Sequence, residues 1–125
     1  MATVELTSDN FEEVITKNEV VVVDFWATWC APCRTFAPIF EKASEKYPNI
    51  VFGKVDTEAQ TELAGRFEIR SIPTLLLVRE QVILYSKPGA VPAQSLESLL
   101  DRMLAVDMTK VREEIAAAEA DTTDT

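Results

Sequence analysis

The chain has 125 residues, with 12 basic and 21 acidic side chains for a net charge of −9, 47% hydrophobic residues, two cysteines and no histidine. That length suits one domain with its own core, and the negative charge disfavours nucleic-acid binding, which needs a basic surface. Val20–Val23 and Leu75–Val78, the longest apolar runs, are far too short to cross a bilayer, and the start MATVELTSDN lacks the parts of a secretory signal, so a cytoplasmic protein without membrane contact is expected.

In chain order, Val4–Leu6 predicts a short first strand, and Ser8 or Asp9 can cap a helix through Phe11, Val14 and Ile15. Val20–Trp26 is apolar almost throughout and β-branched, the pattern of a strand buried on both faces of a parallel sheet. From Pro32 to Tyr47 the period turns helical, with Phe36, Ile39, Phe40 and Ala43 on one side and a kink expected at Pro38. Ile50–Val55 predicts a strand and Thr57–Phe67 a helix. Thr74–Val78 and Val82–Tyr85 predict a hairpin, Pro88-Gly89 a turn, and Leu96, Leu99, Leu100, Met103 and Leu104 mark a helix beginning near Pro92. The order βαβαβαββα implies an α/β fold, a mixed central sheet flanked by helices on both faces. Residues 1–106 would form this domain. Residues 107–125 would be an appendage: a short helix over Thr109–Ala120, then a polar tail, Asp121–Thr125, expected to be disordered.

Cys30 and Cys33 stand three positions apart at the predicted start of a helix. Side chains so spaced are neighbours within reach of a disulfide, and Pro32 fits the first turn, where its missing donor costs nothing. The helix N-terminus favours a thiolate. Cys30, at the tip, is expected to be exposed and reactive, with Cys33 deeper. Zinc would need two further ligands, and neither a third cysteine nor a histidine exists; haem attachment would need histidine where Arg34 stands. No metal is therefore expected.

Asp24 interrupts the apolar run six residues before Cys30. Burial would raise its pKa toward neutrality and suit it to accept the proton of Cys33; the alternatives are a position at a solvated strand edge, or a carboxylate that merely satisfies a backbone group. Lys54, on the neighbouring strand, either sets the charge around Asp24 or is a surface lysine.

The stretch DFWATWCAPC, with Pro38, Lys54 and Asp56 in KVDTE, IRSIPT from Ile69 to Thr74, and Gly89, resembles the thioredoxin family over roughly Thr3–Val106. The resemblance implies a thioredoxin fold and a protein-disulfide reductase in which Cys30 attacks a substrate disulfide and Cys33 resolves the mixed disulfide. It implies Asp24 as proton acceptor beside Lys54, and a cis bond before Pro73. It also implies an apolar docking surface of Trp29, Ala31, Pro32, Ile72, Pro73 and Gly89, with the Ile72 backbone pairing with substrate. The chain itself would carry no cofactor: electrons would come from NADPH through a flavin-containing thioredoxin reductase. Its partners would be that reductase and disulfide-containing proteins, and the chain is expected to be a monomer. Ala31 stands where the family most often has glycine. Arg79-Glu80-Gln81 replaces a glycine-bearing turn, so a longer or distorted turn is expected. Met108, Val111 and Ile115 could dock the appendage on the body or on a partner; a loosely packed terminal helix is the alternative. The competing function is a redox-regulated binding or scaffold module acting through its surface or C-terminal helix.

Overall fold

The computed structural model describes residues 2–123, with side chains described as far as Ala120. Five strands, β1 (Thr3–Glu5), β2 (Val20–Trp26), β3 (Val51–Asp56), β4 (Thr74–Arg79) and β5 (Val82–Pro88), alternate with α1 (Phe11–Lys17), α2 (Ala31–Lys46) and α3 (Thr61–Arg66), and are followed by α4 (Ala93–Ala105) and α5 (Met108–Thr123). The sheet order is β1-β3-β2-β4-β5. β3 runs parallel to β1 and β2, while β4 is antiparallel to β2 and β5. The expected mixed sheet is present.

Alternation along β2 sends its side chains to two cores. Val20 and Val22 pack with Phe36, Phe40, Phe52, Leu96 and Leu100 on the α2/α4 face. Val21, Val23 and Phe25 pack with Leu6, Phe11 and Leu63 on the α1/α3 face. Phe40 meets Phe52 edge-on with centroids 5.2 Å apart, and each of these buried rings stabilises the fold by about 2–3 kcal/mol. Because both faces of β2 are covered, its C-terminal end is fixed rigidly where the chain turns into α2.

Several expected boundaries move, each because side chains bind the backbone locally. The cap of α1 is Asn10, not Ser8 or Asp9; its side chain accepts from Thr7 N (2.7 Å) and donates to Glu5 O (3.0 Å), fastening the loop instead of the helix. α3 begins at Thr61 instead of Thr57. Asp56 Oδ1 accepts from the amides of Glu58 (2.9 Å) and Ala59 (3.4 Å), and Thr57 Oγ1 donates to Trp26 O (3.0 Å), which hold residues 57–59 in a turn. α2 passes through the exposed Pro38 as one helix.

The β4–β5 turn is not lengthened. Glu80 and Gln81 alone connect Arg79 to Val82, at φ of 51° and 66°, the double positive-φ geometry whose twist matches a hairpin. The irregularity lies instead in a bulge, where Leu77 faces Tyr85 but Val78 faces Ile83. β5 runs on to Pro88 rather than stopping at Tyr85. α5 has helical backbone through Thr123, three residues past the expected helix end at Ala120; Asp124 and Thr125, the end of the tail expected to be disordered, lie outside the described residues. Met108 is buried at the base of α5, Val111 is half-buried, and Ile115 is 39% exposed.

Candidate active site

β2 ends at Trp26, and residues 27–29 carry the chain to Cys30, the N-cap of α2. Cys30 N bonds back to Ala27 O (3.3 Å), and its sulfur accepts from Cys33 N (3.2 Å), the role an Asn or Ser oxygen fills in an ordinary cap. One of the helix's orphan N–H groups is thereby aimed at the sulfur, which is the physical means of favouring a thiolate once the thiols are reduced. Pro32 follows in the first turn. Cys30 and Cys33 are joined as a disulfide, their Cα atoms 5.2 Å apart.

The expectation that Cys30 is exposed is corrected. It is 4% exposed and Cys33 2%. Both sulfurs sit in a small cluster with Ala27, against Trp26 and Ile72, and Cys30 Sγ lies 3.6 Å from Ile72 O. Chain closure by the distant Ile72–Pro73 segment covers the sulfur, and helix position alone gives no sign of that. Trp29, beside it, is 65% exposed rather than a core residue.

The Ile72–Pro73 bond is cis. Pro73 is buried, so it supports the loop from beneath rather than adding apolar surface as expected. Pro73 O accepts from Gly89 N (2.7 Å), and Gly89, at φ 111°, adopts a backbone form that side-chain-bearing residues rarely take. Ala31, Pro32, Trp29 and Gly89 are exposed and Ile72 half-buried, so five of the six expected docking residues offer surface around the sulfurs. Ile72 precedes the start of β4 at Thr74, which puts its peptide outside the sheet ladder.

Asp24 is wholly buried, and neither carboxylate oxygen has a hydrogen-bond partner among the described residues. Period-two alternation puts it on the face shared by Val22 and Trp26, the side on which α2 packs. Desolvation raises its pKa from 3.8 to about 7, against the opposing pull of the Lys54 ammonium. Lys54 is its register partner on β3 and is half-buried, with Nζ 5.1 Å from the Trp26 ring centroid. Two further residues contribute to the site without a sequence pattern that marks them. Trp26 joins the disulfide cluster to Lys54, and Arg34 donates to Thr28 O (2.8 Å), tethering the loop that carries Trp29. The one sign in the sequence is the place of Arg34, directly after Cys33. Among the described residues no group of three or more His, Cys, Asp or Glu could hold a metal, and no helix is long and apolar enough to cross a membrane.

The thioredoxin family profile matches residues 2–102. A Streptomyces coelicolor protein that carries a thioredoxin 2 name is 52% identical over 119 residues, 95% of this chain and 89% of that one, so the similarity reaches into residues 107–125. A thioredoxin of Buchnera aphidicola is 45% identical over 100 residues, 78% of this chain and 93% of its own. The solved structure of Plasmodium falciparum thioredoxin superposes with a TM-score of 0.73 at 33% identity, over 78% of this chain and 96% of that one. Fold, cysteine pair and relatives agree: the chain belongs to the thioredoxin family of thiol–disulfide oxidoreductases, whose members need no cofactor of their own.

Proposed function

We propose that this thioredoxin reduces disulfides of other proteins through Cys30 and Cys33 as a cytoplasmic monomer, and that an NADPH-dependent, flavin-containing thioredoxin reductase restores its dithiol. Dithiol–disulfide exchange itself follows from the family and the cysteine pair. One observation carries the assignment of roles. Cys30 caps α2 with the Cys33 amide on its sulfur, while Cys33 lies inside the first turn.

In the reduced protein the Cys30 thiolate attacks one sulfur of the substrate disulfide. A Cys30–substrate bond forms, and the other substrate sulfur leaves as a thiolate that takes up a proton. Cys33 then gives its proton to Asp24, directly or through a water, and attacks the Cys30 sulfur. The Cys30–Cys33 bond forms as the Cys30–substrate bond breaks, and the second substrate sulfur leaves as a thiolate that takes up a proton from Asp24 or water. Two electrons have passed to the substrate. A buried carboxyl with a pKa of about 7 suits this transfer, since it can hold or release a proton near neutral pH. Lys54 limits how far that pKa rises. Trp29, Ala31, Pro32, Ile72 and Gly89 would dock the substrate chain over Pro73, with the Ile72 peptide available for strand-like pairing.

Residues 1–106 would be the redox domain and 107–125 an extension of it, which fits the profile match ending at residue 102 and α4 ending at Ala105. The test is a coupled assay with reductase, NADPH and a disulfide protein, with Cys33→Ser expected to trap substrate on Cys30. Absence of trapped adducts, or full biological activity in a variant lacking both cysteines, would replace this reading with a scaffold role.

A further inference from the structure

We propose that the groove between β5 and α4 seats an acidic, extended segment of the disulfide-bearing substrate protein. The proposal rests on the disulfide-reductase reading above and names a class of substrate for it. The groove is open to solvent, has a volume of about 690 Å³ and is lined by Tyr85 and Lys87 of β5, by Pro92 at the N-cap of α4, and by Ser95, Leu99 and Arg102 along that helix. Beside it, and sharing Tyr85, Leu99 and Arg102, a smaller hollow of about 140 Å³ reaches the apolar side chains of Leu77, Leu84 and Met103.

Charge identifies the occupant. The chain carries 21 acidic against 12 basic residues, yet the described side chains that line this groove include two cations and no carboxylate. Glu97 and Asp101 of α4 line the next hollow, which also touches Arg102; Glu97 there pairs with Lys46 of α2 at 3.2 Å, and Asp101 accepts from the Tyr47 hydroxyl at 2.8 Å, on the side of α4 that faces α2. Lys87 Nζ stands 5.6 Å from the centroid of the Tyr85 ring, at the groove's edge. An acidic segment would be repelled by most of this surface and held here.

Position ties the groove to the reaction. Lys87 lies two residues before Gly89 and Pro92 three after it, and Gly89 is bonded to Pro73 O. The groove therefore begins beside the cis-proline loop. From Ser95 to Arg102 the helix advances about 10 Å, the reach of three or four extended residues. A carboxylate near each cation and one apolar side chain in the hollow would fill it.

Two disulfide-linked peptide substrates test this, alike except that about five residues from the cysteine one carries Glu-Leu-Glu and the other Gln-Leu-Gln. The acidic peptide is expected to be reduced with kcat/KM about fivefold higher, through KM with kcat unchanged. The combined Lys87→Gln and Arg102→Gln variant should erase that preference while still reducing the neutral peptide at the parent rate; about 0.5 M salt should erase it too. Arg102→Lys, beside native Lys87, should keep most of it. Equal kcat/KM for the two peptides in the parent protein, or a preference that survives the double variant, would overturn the groove proposal and leave the reductase reading standing. Failure to reduce either peptide would instead sink the reductase reading, and this proposal with it.

Discussion

Asp24 and Lys54 stand abreast in the parallel β2–β3 ladder, yet both oxygens of the Asp24 carboxyl are buried without a hydrogen-bond partner among the described residues. Buried polar groups are ordinarily satisfied. The pair therefore combines a costly carboxyl with a charge that only partly offsets its burial.

Catalysis should follow the titration of this carboxyl. With a pKa of about 7, its ionised, proton-accepting form grows as pH rises through neutrality. The rate at which Cys33 resolves a mixed disulfide should rise over the same interval. Asp24→Asn should remove that inflection and slow resolution roughly tenfold or more at about pH 8, with substrate docking little changed. Stopped-flow rates on both proteins between about pH 6 and 8 check this; identical profiles would take Asp24 out of the mechanism.

Stability should move the opposite way. The folded pKa of Asp24 lies above its ordinary 3.8, so between that value and about 7 the folded chain binds more protons than the unfolded one. Stability from this group is greatest below the unfolded pKa, falls as pH rises through the window, and levels off above about 7. A shift of this size amounts to about 4 kcal/mol. Urea denaturation of the parent should show that decline on top of other pH effects, and Asp24→Asn should lack it. Asp24→Leu should be more stable than the parent at alkaline pH.

Lys54→Met should push the Asp24 pKa above about 7, because the ammonium is the influence that lowers it. Carboxyl chemical shifts followed by NMR across the titration report this directly. An unmoved midpoint would reduce Lys54 to a partner of the Trp26 ring, over which it sits.

Arg79 binds the corner between α4 and α5. One guanidinium nitrogen donates to the carbonyls of Met103 (3.0 Å), Leu104 (3.1 Å) and Val106 (2.8 Å), and the adjacent Glu80 pairs with Arg112 of α5. Arg79→Met leaves those carbonyls without the donor and should cost about 2 kcal/mol. Faster amide exchange in α5 with unchanged disulfide reduction is the expected signature. A global loss of exchange protection would contradict a role confined to the corner.

The frame was legible in the sequence wherever burial imposes a period. The doubly buried Val20–Trp26 strand and the Leu96, Leu99, Leu100, Met103 and Leu104 stripe stand close to where the pattern puts them, as do the two cysteines at the start of α2. Contacts made at a distance in sequence were not legible. Ile72 lies 42 residues from the Cys30 sulfur it covers, and no periodicity encodes that closure. Nor could propensity show that Asp56 would spend its carboxylate on a turn and delay α3, or that a single arginine on β4 would gather the end of α4. Asp24 falls between these cases. Its place in an apolar run announced burial, while its lack of any hydrogen-bond partner emerged only from the packed structure.

The Cys30–Cys33 bridge spans only three steps of one chain segment and links no two elements of the sheet. Opening it releases little chain entropy, so the architecture does not depend on whether the sulfurs are joined. Both oxidation states can present nearly the same outline, and a partner that tells them apart must do so at the tip of α2 and the loops touching it. A redox carrier built in this way can cycle without remaking its own scaffold.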